Sequence, residues 1–95
     1  MAQNNDSNIS PDQQDQILFM MLVQQHQQIA LMGLGDQENP TTGKKEKDLK
    51  AVKYAIDTLT MLEKFTAGNL TKEMSGYLTE TLKSLRLKYV DANQP

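Results

Sequence analysis

The sequence contains no cysteine, no tryptophan and a single histidine, His26. The absence of cysteine excludes disulfide bonds, cysteine zinc sites and thiol catalysis. A single histidine also excludes any site that needs two imidazole groups. Aromatic residues make up only 5% of the 95 residues, so we expect one small domain with a thin hydrophobic core.

Long apolar runs are also absent. The longest is the seven-residue stretch from Ile17 to Val23, whereas a membrane-spanning helix needs about 20 apolar residues. The first residues have neither a basic region nor an apolar segment, so we predict no secretory signal. The expected location is therefore the cytoplasm.

Basic residues are missing from the first part of the chain. Residues 1–40 carry a net charge of −5, and residues 41–95 carry +3, which together give −2. We expect the acidic part to pack against the basic part. The alternative is that the lysine cluster at 44–53 binds an acidic partner. Because no aromatic residue interleaves with these lysines and the net charge is negative, nucleic acid is not an expected partner.

Apolar periodicity, together with start and stop signals, predicts an all-α fold. Ser10-Pro11-Asp12-Gln13 combines a capping residue, a first-turn proline and a capping-box glutamine. No segment alternates with the period of two that is typical of strands. The predicted organisation is a disordered tail at 1–10, one helical domain at 11–90 with helices at about 11–32, 48–66 and 72–90, and a frayed tail at 91–95.

The connections differ in length. Gly33 and Gly35 could each adopt the left-handed conformation that ends a helix. A connection of about 15 residues then follows the first helix, whereas about four residues join the second and third. We therefore expect the second and third helices to be antiparallel neighbours and the first helix to be freer.

The first helix is long and two-sided. At 100° steps its predicted core stripe is Leu18, Phe19, Leu22, Val23, Ile29 and Ala30. The other side is also apolar between glutamines, and two short helices cannot surround it. We predict that self-association or another protein buries that side. The predicted interface residues are Ile17, Met20, Met21, Gln24, Gln28, Leu31 and Met32, with Tyr54, Met61 and Phe65 on the second helix as a candidate secondary interface.

The sequence shows no constellation typical of catalysis. His26 lies among glutamines, so we expect it to pack and hydrogen-bond, with a pH-sensitive interface as the alternative. The stretch from Gly35 to Lys44 lacks the glycine spacing of a phosphate-binding loop. We predict no catalytic residue, cofactor, metal or small-molecule substrate, and hence a protein that is not an enzyme.

Three stretches form a recognisable pattern. They are Asn39-Pro40-x-Thr42-Gly43, Lys64-x-Thr66-x-Gly68-Asn69-Leu70-Thr71, and Leu82-x-x-Leu85-Arg86 with Tyr89. With the helical residues between them, they resemble the bacterial domain of unknown function 1844 over about residues 16–90. The resemblance implies a small, helical, cytoplasmic bacterial protein and brings no activity with it.

The expected function is a non-enzymatic helical module for protein–protein interaction. Its partner would be a second copy, giving a homodimer, or a larger bacterial complex of which it is an accessory subunit. The alternative is a peripheral membrane-surface protein with Ile17 to Val23 lying in the lipid interface. The neighbouring glutamines and the absence of lysine from the first 40 residues argue against binding to anionic lipid.

Overall fold

The computed structural model describes residues 9–94 and contains three helices. These are α1 at Pro11–Gly33, α2 at Leu49–Phe65 and α3 at Lys72–Ala92. Within residues 9–94 the only β structure is an isolated bridge between Leu34 and Lys47. The predicted all-α fold is confirmed. The predicted tail at 1–10 lies mostly outside the described residues, and α3 continues through Ala92 into the segment expected to fray.

Side-chain caps define the start of each helix. Gln13 N donates to Ser10 Oγ at 3.1 Å, and Ser10 N donates to the Gln13 side chain at 2.9 Å. This reciprocal pair is the predicted capping box. Asp48 and Thr71 cap α2 and α3 by accepting from the backbone N–H three residues on. Each cap satisfies an amide that the helix itself leaves without a partner.

The end of α1 differs from the expectation for its glycines. Gly35 is left-handed, with φ of 85°, but Gly33 is the last helical residue. A Cβ on Gly33 would lie 2.7 Å from Asp48 O and 2.7 Å from Val52 Cγ2. Gly33 therefore allows close packing onto α2, and the prediction that it adopts the left-handed conformation is wrong.

The long connection also fixes α1 rather than freeing it. Asp48 N, at the start of α2, donates to Gly33 O at 2.7 Å. The bridge between Leu34 and Lys47 closes the loop on itself, and Leu34 is buried. The expectation of a freer first helix is wrong, because the end of α1 is hydrogen-bonded to the start of α2.

Three contacts between helices establish the topology. His26 of α1 lies beside Tyr54 of α2. Arg86 of α3 donates to Thr60 of α2 at 2.9 Å, and Tyr77 of α3 donates to Gln27 of α1 at 3.3 Å. Together with the Gly33 contact and a hydrogen bond from Thr79 of α3 to Glu63 of α2 at 3.3 Å, they make α2 antiparallel to both neighbours. The core between the helices consists of Val23, Ala30, Leu34, Val52, Ala55, Ile56, Leu59, Leu78, Leu82 and Leu85.

Charge pairing between the two parts of the chain is sparse. Among residues 9–94, one ion pair joins them, Lys88 with Asp36 at 3.6 Å. The other ion pair is Lys53 with Asp57 at 2.7 Å, within α2. The hydrogen bond and the charge of Asp57 raise the pKa of Lys53. Apolar burial, rather than attraction between acidic and basic parts, therefore holds α1 against the other helices.

Replacing Gly33 with alanine should destabilise the fold by about 1–3 kcal/mol, since the new methyl group meets backbone and a buried side chain. Urea unfolding followed by circular dichroism measures the change. The matched control is Gly76→Ala in α3, where a Cβ meets nothing within 4 Å. That substitution should stabilise the fold by about 0.5–1 kcal/mol. Equal stability of the Gly33→Ala variant and the parent would contradict the close contact.

Candidate functional site

The outward side of α1 exposes four large apolar side chains. Val23 and Ala30 are fully buried and define the side of α1 that faces the core. Opposite and beside it lie Ile17, Leu18, Met21 and Leu22, which are between 36% and 56% exposed. We define these four as the outer cluster.

Two members of the outer cluster correct the predicted core stripe. Leu18 and Leu22 were expected in the core but are exposed. At 100° per residue they lie about 140° and 100° from Val23 around the helix axis. Packing of Val23 and Ala30 against the other helices sets the rotation of α1, and this rotation turns Leu18 and Leu22 towards solvent.

Most of the predicted interface residues line one surface. Two adjoining grooves share Met21 and Gln24 and run along the α1 side that faces α3. Their opposite wall includes Thr71, Met74 and Tyr77. We name this surface the α1–α3 groove. The predicted interface residues in it are Ile17, Met20, Met21, Gln24, Gln28 and Leu31.

Three of the predicted interface residues are only partly available to a partner. Met20 and Leu31 are half-buried, and Leu31 packs against the core. Met32 is also half-buried and lies outside the groove, in a depression beside Asp48 and Ala51. Their placement follows from the same rotation of α1, which moves Met20 and Leu31 towards α3.

The groove is lined mainly by apolar and amide groups. From Gln16 to Gly35 the sequence has no acidic or basic residue other than His26. Glu73 of α3 contributes the carboxylate on the opposite wall, and the Tyr77 hydroxyl donates to Gln27 Oε1 at 3.3 Å. Such a surface suits the packing of an uncharged helix face, with glutamines able to hydrogen-bond across the contact.

His26 lies on the opposite flank of α1, away from the groove. Its Nδ1 donates to Leu22 O at 3.0 Å, and its ring centroid is 6.0 Å from that of Tyr54. Among residues 9–94, no group of three histidine, aspartate or glutamate side chains could hold a metal ion. The contacts of His26 join α1 to α2.

A second apolar surface lies on α2. Tyr54, Met61 and Phe65 are between 42% and 71% exposed. We define these three residues as the α2 edge. Sequence reasoning selected this line but missed Leu87 and Val90, which are exposed on the outer face of α3. It also missed the α3 wall of the groove, because only the packing of α3 beside α1 brings that wall to the site.

The matched sequence range includes the α2 edge and all but one end of the groove. The family model for a domain of unknown function (DUF1844) matches residues 16–91, which are 76 of the 95 residues. The chain belongs to the DUF1844 family. No curated protein and no solved structure matches the chain significantly. The match to the DUF1844 family model confirms the resemblance seen in the sequence.

The DUF1844 match begins at Gln16 and ends one residue before the last residue of α3. It therefore includes the outer cluster, the α3 wall of the groove and the α2 edge, whereas Ile9 and Gln13 at one end of the groove lie before it, as does the Ser10 cap. None of the described helices of this DUF1844 chain is long and apolar enough to cross a membrane.

Two alanine substitutions distinguish the buried and outward sides of α1 in this DUF1844 chain. Val23→Ala should lower the free energy of unfolding by about 1–3 kcal/mol, because it leaves a cavity in the core. Leu18→Ala should change it by less than about 0.5 kcal/mol. Urea unfolding at the lowest workable protein concentration excludes a contribution from association. A larger loss for Leu18→Ala than for Val23→Ala would reverse the assignment of the two sides.

Proposed function

We propose that this DUF1844 chain is a non-enzymatic, cytoplasmic interaction module whose partner is a second copy of itself. The observation that carries the proposal is the outer cluster, an exposed apolar group on the stretch of α1 from Gln16 to Gly33, whose only acidic or basic residue is His26. Because these side chains are already about half-buried, covering the rest contributes on the order of 1 kcal/mol each. A partner that covers them would therefore gain a substantial part of its binding free energy from this cluster alone.

The groove extends the surface that a partner could cover. It continues from the outer cluster past Met21 and Gln24 towards Gln28 and Leu31. The distance along the helix from Ile17 to Leu31 is about 21 Å at 1.5 Å per residue. A helix lying along this surface would contact α1 over about four turns, which is the arrangement of helix-in-groove recognition.

A second copy suits this surface for reasons of charge and symmetry. In a two-fold contact, each side chain meets the same surface of the other copy, so charged residues near the axis would repel their equivalents. Antiparallel packing of two α1 helices, centred between Phe19 and Met20, would place the outer clusters against each other. The two helices would then overlap from Pro11 to Gln28, and Leu31 would lie outside this contact. Gln24 and Gln28 would lie at the rim, where amide groups both donate and accept hydrogen bonds.

The chemistry of the surface supports a binding role rather than a catalytic one. His26 uses Nδ1 in a bond to the Leu22 carbonyl and lies on the other flank of α1. The groove contains amides, thioethers and the Tyr77 hydroxyl, with Glu73 as its charged group. These groups position and bind a partner, and we assign no proton transfer to them.

Light scattering after size exclusion, over a dilution series, tests self-association. The expected mass is twice the 10.7 kDa of one chain. The double substitution Ile17→Glu and Met21→Glu should reduce the mass to that of one chain, because it places four carboxylates in a two-fold contact. Its circular dichroism spectrum should remain helical, since both positions are exposed.

The matched control is Leu87→Glu with Val90→Glu, which adds the same charge to exposed apolar positions on α3. This variant should keep the doubled mass. A parent chain that stays monomeric at all concentrations would refute self-association and leave the groove to another protein. Flotation of the parent with lipid vesicles, lost in the Ile17→Glu and Met21→Glu variant, would instead assign the surface to a membrane.

A further inference from the structure

The α2 edge has the geometry of a docking line for a helix. Its residues follow the spacing i, i+7 and i+11, so Tyr54, Met61 and Phe65 lie within an arc of about 40° around α2. The line is about 16 Å long, or three helical turns. Phe65 is the most exposed large apolar residue among residues 9–94. Three such side chains in register form a patch rather than scattered surface residues.

The carboxylates of α2 are engaged within the chain. Asp48 caps the helix at Ala51 N, and Asp57 pairs with Lys53. Glu63 accepts a hydrogen bond from Thr79 Oγ1 at 3.3 Å. Among residues 9–94, none of these three carboxylates forms an ion pair with Lys50 or Lys64, the two lysines at the ends of the α2 edge.

Those two lysines are Lys50, one turn before Tyr54, and Lys64, which adjoins Phe65. Both are exposed. Within residues 9–94 neither has a carboxylate within 4.0 Å. Lys64 Nζ lies 5.7 Å from the centroid of the Phe65 ring, so positive charge and aromatic surface occur together at this end. The α2 edge is an apolar line with a positive charge at each end.

We propose that the α2 edge binds an acidic amphipathic helix of another protein. Apolar side chains of that helix would cover Tyr54, Met61 and Phe65, and carboxylates at its two ends would face Lys50 and Lys64. Attraction between opposite charges would orient the helix along the line. This surface is separate from the α1–α3 groove, so the proposal does not depend on self-association.

A second copy does not fit this surface. If two α2 edges paired antiparallel, Lys50 of one chain would face Lys64 of the other, and parallel pairing would bring equivalent lysines together. The start of α1 in a second copy does not match either, because its carboxylates, Asp12 and Asp15, lie at one end of the helix only, whereas the α2 edge has a lysine at each end. The charge pattern therefore favours a different protein.

Two synthetic helical peptides test the proposal on the full chain. Both carry leucine and phenylalanine at i, i+4, i+7 and i+11, and one has glutamates at its ends where the other has lysines. Fluorescence anisotropy of labelled peptide measures the dissociation constant. The glutamate peptide should bind about tenfold more tightly than the lysine peptide, and added salt should reduce this difference.

Charge reversal on the protein provides the decisive variant. Lys50→Glu with Lys64→Glu should reverse the preference, so that the lysine peptide binds more tightly. Phe65→Ser should weaken both peptides about tenfold or more, because it removes the anchoring ring. The matched controls on α3 are Lys72→Glu with Lys83→Glu, and Leu87→Ser; both should leave the affinities and the preference unchanged.

Several outcomes would overturn the proposal. One is that neither peptide binds, and another is that both bind with equal affinity. The third is a peptide preference that Lys50→Glu with Lys64→Glu does not alter, and the fourth is that the α3 control variants change the affinities as much as the α2 variants do.

Binding to vesicles of phosphatidylcholine, with and without phosphatidylserine, tests a membrane as the partner. If binding to phosphatidylserine vesicles is lost in Phe65→Ser while neither peptide binds, the α2 edge contacts a membrane instead of a protein.

Discussion

The close contact between Gly33 and the start of α2 determines how the three helices are arranged. The Gly33 carbonyl accepts from Asp48 N, and the missing side chain leaves room for Asp48 O and Val52. Two helices held this closely at one end cannot rotate independently, because buried side chains interdigitate at near-crystalline density. The orientation of α1, and hence the set of its side chains that reaches solvent, follows from this junction.

The surfaces proposed for binding are consequences of that orientation. With Val23 and Ala30 turned into the core, Met21 and Gln24 line the groove beside α3, and Leu18 and Leu22 are exposed. The groove side has almost no charge, whereas the α2 edge has a lysine at each end. A difference in charge between two apolar surfaces favours different partners, since each complex must match charge as well as shape. We therefore propose self-association for one surface and a heterologous acidic helix as the partner of the other.

Much of the helical architecture was predictable because its signals are local. The capping box at Ser10, the caps at Asp48 and Thr71, and the pair Lys53–Asp57 each involve residues three or four apart. The bounds predicted for the helices lie within two residues of those observed. The line Tyr54, Met61 and Phe65 was also identifiable, because the three residues share one side of a single helix.

What sequence alone determined was the number and type of the helices, their limits to within two residues, and the excess of apolar side chains on the first. It could not decide which of those side chains would be buried. Leu18 and Leu22 are as hydrophobic as Val23, and α1 is apolar around most of its circumference, so periodicity did not define one core side. Only the tertiary structure, through the contact of Gly33 with Val52 and the approach of α3 along the other flank, selected the rotation of α1. The physical reason is that burial is a property of neighbours distant in sequence, whereas caps and helix periods are properties of residues within one or two turns.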